Sequence, residues 1–178
     1  MLRLAEKMSR LGTETAFDVL ARAETLSQEG RDIINLGIGQ PDFKTPEHIV
    51  EAAIKALHDG HHGYTPSPGI PHLRESVARD LATYRGVNVA PDRIVIVPGG
   101  KVTMFFAILM FGEAGVDILY PNPGFPIYQS VIEFTGARAV PVRLLEENDF
   151  SFDAETILSQ ITEDTRLLIL NSPANPTG

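Results

Sequence analysis

Two glycines and a lysine at the end of an apolar run are the residues of this chain best suited to ligand chemistry. The segment Ile94-Val-Ile-Val-Pro-Gly-Gly-Lys101 leads straight into a helix-forming stretch. A helix start exposes unpaired backbone N–H groups and the positive end of the helix dipole. Gly99 and Gly100 would let an anion such as phosphate come close to that backbone. In isolation the same residues read equally well as a plain strand-to-helix turn. They are not a nucleotide P-loop, because the spacing of that motif and its Lys-Ser/Thr ending are absent. They are not a dinucleotide fingerprint either, since no third glycine follows at the right place.

Two further loops follow apolar runs. Tyr120-Pro-Asn-Pro-Gly-Phe-Pro-Ile-Tyr128 is a rigid turn that could present the ring of Phe125 to a flat ligand. Taken alone, core packing is the plainer reading of that ring. Asn171-Ser-Pro-Ala-Asn-Pro-Thr-Gly178 places the amide of Asn175 where it could donate to a carboxylate or phenolic oxygen. By itself such a sequence need mean no more than a tight turn. In Asn35-Leu-Gly-Ile-Gly-Gln-Pro-Asp-Phe43 the glycines would free backbone N–H groups to face a ligand. In Gly63-Tyr-Thr-Pro-Ser-Pro-Gly-Ile-Pro-His-Leu-Arg74 the loop residue Tyr64 carries a hydroxyl that could reach a phosphate. His58, His61 and His62 have no partnering carboxylate pattern and read as a solvated helix end rather than a metal site. Glu146-Glu-Asn-Asp149 reads as a solvated charged loop.

These loops need rigid elements to hold them. The patterning predicts a helix over 15–29, with Phe17, Leu20, Ala21 and Ala23 near one face, and a short strand over Ile33–Leu36. Pro46 opens a helix whose buried stripe would be Ile49, Ala53, Ile54 and Leu57. Pro71 opens another, with Leu73, Val77, Leu81 and Tyr84 in register. From Arg93 onward strands and helices alternate. Strands are expected at Ile94–Val97, Val116–Tyr120, Ala139–Val142 and Leu167–Leu170, and helices at 101–111, 125–135 and 153–161. Continuous apolar strands separated by helices imply a parallel sheet covered on both faces. Ligands of such sheets sit at the carboxyl ends of the strands, where the loops at Pro98–Lys101 and Asn171–Gly178 fall.

The composition narrows the function classes. A length of 178 residues suits one domain, with room for an appendage, at about 150 residues per domain. The net charge of -8 argues against a general nucleic-acid binder, which needs clustered Lys and Arg. There are no cysteines, so disulfides and thiolate metal sites are excluded. No apolar run approaches the ~20 residues of a membrane helix. Met1–Glu14 lacks a signal-peptide core, and a cytoplasmic location is expected.

In order, the motifs Asn-Leu-Gly-x-Gly-x-Pro-Asp-Phe, Tyr-x-Pro-x-x-Gly-x-x-x-Leu-Arg, Gly-Gly-Lys, Pro-x-Phe-x-x-Tyr and Asn-x-Pro-x-Asn-Pro-Thr-Gly resemble those of the class I/II aminotransferases. These are pyridoxal 5′-phosphate enzymes of fold type I, of the aspartate aminotransferase kind. The resemblance runs from about the second element to the last residue. It implies an α/β fold that is part of the fold type I large domain, a mainly parallel sheet with helices on both faces. Residues 1–45 would be an amino-terminal arm and small-domain segment, and 46–178 an incomplete cofactor-binding large domain.

The resemblance also implies roles. Gly39 would lie beside the substrate carboxylate. Tyr64 would reach the cofactor phosphate of a neighbouring subunit in a homodimer. Gly99, Gly100 and Lys101 would cradle the phosphate, and Phe125 would stack on the pyridine ring. Asn175 would hold the phenolic oxygen of the ring and lie near the substrate carboxylate. The substrates would be an amino acid and a 2-oxo acid.

In such enzymes the lysine that holds the cofactor as a Schiff base lies beyond the Asn-Pro-Thr-Gly turn. The lysines here are Lys7, Lys44, Lys55 and Lys101, and none matches it. No catalytic residue is therefore assigned, and the sequence is expected to be an amino-terminal fragment, inactive alone. A carbon–sulfur β-lyase or aminocyclopropane-carboxylate synthase type shares these loops and stays open, as does a non-catalytic fragment. A regulator fused to an aminotransferase-like domain would need a DNA-binding module, and Met1–Gly30 is too short for one.

Overall fold

A computed structural model describes residues 3–12, 16–37 and 39–178, with the side chain of Ala16 left aside. The contacts group the chain into two compact units. One comprises the residues up to Asp18 together with Gly99–Gly178, and the other is Val19–Pro98. This grouping is by contact within the chain, whereas the expected boundary at 45/46 concerns domains of the family fold.

The first unit is built on three parallel strands, β1 (Asp117–Asn122), β2 (Arg138–Arg143) and β3 (Thr165–Leu168), in the order β2-β1-β3. The central strand is buried from Asp117 to Pro121, and its apolar run Ile118–Pro121 suits a strand covered on both faces. Successive side chains of β1 point to opposite faces and feed two cores. Ile118 and Tyr120 join Ile108, Tyr128, Val131 and Ile132 on one face. Leu119 joins Val142 and Ile157 on the other.

Helices supply those partners. In chain order α1 is Ala16–Gln28, α2 Glu47–His58, α3 Pro71–Arg85, α4 Gly100–Phe111, α5 Ile127–Thr135 and α6 Ala154–Gln160. Ile108 belongs to α4 and Val131 and Ile132 to α5, so these two helices cover one face. Ile157 of α6 covers the other. The expected α/β layering with helices on both faces is what the chain forms. Asp153 caps α6, its carboxylate accepting from the N–H groups of Glu155 and Thr156.

The second unit contains most of α1, then α2 and α3. Pro71 occupies the first turn of α3, where its missing N–H costs no hydrogen bond. The helix expected over 15–29 is present as α1, although residue 15 lies outside the described residues.

Four local expectations need correction. Ile33–Leu36 and Ile94–Val97 form no strand. A strand exists only where a neighbour completes its hydrogen-bond ladder, and neither segment has such a neighbour among the described residues. Ile34 and Val95 are accordingly exposed. The last strand is Thr165–Leu168 rather than Leu167–Leu170, because pairing with β1 begins at Asp117–Thr165. The apolar stripe of α2 exists, but Ile49, Ala53, Ile54 and Leu57 are exposed rather than buried. Periodicity marks one face of a helix, and burial needs an element packed against it. No helix among the described residues is long and apolar enough to cross a membrane.

Candidate cofactor site

Three chain segments meet at one end of the sheet in the first unit. β1 runs into the Pro123–Pro126 loop, and the segment after β3 runs into Asn171–Gly178. Because β1 and β3 are hydrogen-bonded neighbours, their following loops emerge side by side. Ile169 continues the pairing by donating its N–H to the carbonyl of Leu119 at 2.9 Å. Asn122–Pro123, Ser172–Pro173 and Asn175–Pro176 are cis peptides. The third segment is the start of α4.

These segments line an open cavity of about 580 Å³ whose walls include Gly100, Lys101, Phe125 and Asn175. Four of the residues singled out in the sequence are therefore together. Gly99 stands at the N-cap of α4 with φ 89°, a backbone conformation that favours glycine. No side chain caps this helix, and its first turn carries no acidic residue. A helix start presents N–H groups that the carbonyls of the helix do not pair, at the positive end of its dipole, and such a place suits an anion. A methyl group at Gly99 or Gly100 would meet no atom within 4 Å, so the approach to that backbone is open.

Phe125 is half-buried and meets Tyr128 edge-on, with ring centroids 6.2 Å apart. Lys101 Nζ lies 5.3 Å from the centre of the Phe125 ring and 5.9 Å from that of Phe17. Burial pushes the Tyr128 hydroxyl above its ordinary pKa, so it stays protonated and available as a donor. Tyr128, Thr103 and Asn171 also line the cavity and were not singled out. Tyr128 and Asn171 stood inside quoted motifs. Thr103 had only its place in the first turns of the helix to mark it.

Gly39 and Tyr64 belong to the other unit. Tyr64 is fully exposed, and a methyl group at Gly39 would meet nothing within 4 Å. Ile38, in the same motif as Gly39, lies outside the described residues. No group of three or more His, Asp or Glu among the described residues could hold a metal ion.

Residues 31–178 match the family described as aminotransferase class I and II. The chain belongs to that family. It is 34% identical to the aspartate aminotransferase of Bacillus subtilis over 99% of its own length and 45% of that protein. It is 38% identical to a probable aspartate/prephenate aminotransferase of Aquifex aeolicus, over 98% of this chain and 44% of that one. The solved structure of the Thermus thermophilus aspartate aminotransferase with maleate superposes with a TM-score of 0.92 at 34% identity. It covers 99% of this chain, which spans 46% of that one. The chain thus spans less than half the length of these family members.

Proposed function

We propose that this chain forms the phosphate- and ring-holding portion of a pyridoxal 5′-phosphate-dependent aminotransferase, which moves amino groups between amino acids and 2-oxo acids. The observation that carries the reading is the shared cavity of Gly100, Lys101, Phe125 and Asn175 at the start of α4. The residues present suit the cofactor. The uncapped helix start suits a phosphate dianion, the half-buried aromatic ring suits a flat heterocycle, and the Asn175 amide suits a phenolate oxygen.

When bound, the cofactor supplies an aldehyde that takes up the amino group and an electron-poor ring that disperses charge left at the α-carbon. The side chains and backbone of this chain bind and orient. Gly99, Gly100 and Lys101 would hold the phosphate through their N–H groups. Phe125 would limit the tilt of the ring by packing on its face. Asn175 would donate to the phenolic oxygen and lie near the substrate carboxylate, with the open backbone of Gly39 as a second contact for that carboxylate. Tyr64 would serve the phosphate of a partner copy in a homodimer. The boundary between an amino-terminal segment 1–45 and the large domain belongs to the same reading, as does a cytoplasmic location. The names of the relatives favour aspartate among the amino donors.

None of the four lysines suits covalent attachment of the cofactor. Lys7 lies over the Phe134 ring and Lys55 pairs with Asp59. Lys44 sits in an exposed loop outside the cavity lining, and the backbone of Lys101 is in the first turn of α4, which on this reading would face the phosphate. Titration of the chain with pyridoxal 5′-phosphate, followed by absorbance, tests the reading. Saturable binding that weakens in Asn175→Ala and Phe125→Leu supports it. Binding that ignores both substitutions overturns it.

A further inference from the structure

Tyr120 and Tyr128 are buried in the same core of the first unit, at 7% and 3% exposed, but their hydroxyls meet different surroundings. The Tyr120 hydroxyl donates to Gln129 Oε1 at 3.2 Å, and the Gln129 amide in turn donates to Glu133 Oε1 at 2.7 Å. The Tyr128 hydroxyl makes no hydrogen bond among the described residues, and burial alone holds it above its ordinary pKa. It is not sealed in either. The side-chain oxygens enclosed without a partner among the described residues are Gln160 Oε1 and Thr177 Oγ1. Tyr128 lines the cavity that holds Phe125 and Asn175, so the small part of it left open faces that space.

A buried phenol without a partner costs free energy, because its O–H has given up water and gained nothing in return. The core around Tyr128 is apolar, with Ile108, Val131 and Ile132 among its members. The ring alone fills that core, and the hydroxyl adds nothing to it. The cavity is where the hydroxyl finds an acceptor.

The backbone holds this donor beside the Phe125 ring. Tyr128 N–H donates to the Phe125 carbonyl at 3.1 Å, in the turn that opens α5. The two rings meet edge-on with centroids 6.2 Å apart. A flat ligand packed against Phe125 in this cavity is therefore bounded by Tyr128 as well.

We infer that Tyr128 is a further binding residue of this cavity, its hydroxyl donating to an acceptor atom of the ring that packs on Phe125; this rests on the cofactor reading of the cavity. The ligand class is a flat heterocycle with a polar atom at its edge. The cofactor ring offers its nitrogen and its phenolic oxygen.

The test is calorimetric titration of the full chain with pyridoxine, which carries no aldehyde to react with lysines. Tyr128→Phe keeps the ring, its packing and its edge contact with Phe125, and removes only the hydroxyl. It should bind pyridoxine about threefold to tenfold more weakly than the unaltered chain. Its thermal midpoint without ligand should not fall, because the hydroxyl holds no group of the protein. Titration with 3-deoxypyridoxine separates the acceptors. A loss that persists there places the acceptor away from the phenolic oxygen, a loss that vanishes places it on that oxygen, and either supports the inference. Unchanged affinity of Tyr128→Phe for both ligands, while Phe125→Leu still weakens binding, would overturn the inference and leave the cofactor reading standing. A lowered midpoint with unchanged affinity would make the hydroxyl structural and overturn it too. If the unaltered chain binds neither ligand saturably, the cofactor reading itself falls, and the inference with it.

Discussion

Arg138 grips Asp117 with two hydrogen bonds across the first rung of the β1–β2 ladder, its Nε lying 2.6 Å from Oδ1. The carboxylate is 3% exposed, and the Thr162 hydroxyl donates a further bond to it at 3.3 Å. The guanidinium holds the Asp117 carboxyl below its ordinary value of 3.8, against the opposing effect of burial. Because the folded value is lowered, this pair stabilises the chain fully above the unfolded value and is lost as pH falls through the folded one. Arg138→Met reverses the sign. Burial then dominates and raises the carboxyl value, so the variant regains relative stability as the group protonates in acid. Urea unfolding of both proteins across the acid range should show their stability difference shrinking as pH falls. A difference independent of pH would contradict the assignment.

The two cores should respond separately. Ile118 and Leu119 are both fully buried, one facing α4 and α5 and the other facing α6. Each truncated to alanine should cost about 2–5 kcal/mol in urea unfolding. Since the two side chains share no cluster, the double variant should be close to additive. A coupling well outside the error of the two single measurements would mean that the sheet does not separate two cores.

The parts of this arrangement legible in the sequence were those carried by continuous local pattern. The run Val116–Tyr120 announced a buried strand, and the loops after it and after β3 were expected at one end of the sheet. That brought Gly100, Lys101, Phe125 and Asn175 to one cavity. Ile94–Val97 has the same apolar run but forms no strand, because a ladder needs a neighbour that local pattern cannot name. The same limit applies to α2, whose stripe was visible and whose lack of cover was not. Asp117 and Arg138 are 21 residues apart, and only the parallel register makes them partners.

Phe125 and Asn175 should separate by the ligand atom that each serves. Phe125→Leu should weaken binding of pyridoxine 5′-phosphate and pyridoxine alike, by about threefold to tenfold, since ring packing ignores the phosphate. Phe125→Tyr should keep most of the affinity. Asn175→Ala should weaken ligands that carry the phenolic oxygen and leave the 3-deoxy analogue unaffected. Equal losses for both analogues would remove Asn175 from its assigned role.

The chain alone should not transaminate. The proton at the substrate α-carbon must be moved by a positioned base, and none of the four lysines suits that task. Borohydride treatment with pyridoxal 5′-phosphate should give only scattered, substoichiometric labelling of lysines. Amino transfer from aspartate to 2-oxoglutarate should stay at the background of free cofactor. A stoichiometric adduct at Lys101 with turnover above that background would overturn the assignment of Lys101 to the phosphate end.

The most direct measurement is a crystal structure of the chain grown with pyridoxine 5′-phosphate. The phosphate should accept hydrogen bonds from the backbone N–H groups of Gly100 and Lys101, with the ring packed on Phe125 and its phenolic oxygen facing Asn175. A phosphate bound elsewhere, or a ring that makes no contact with Phe125, would contradict the account.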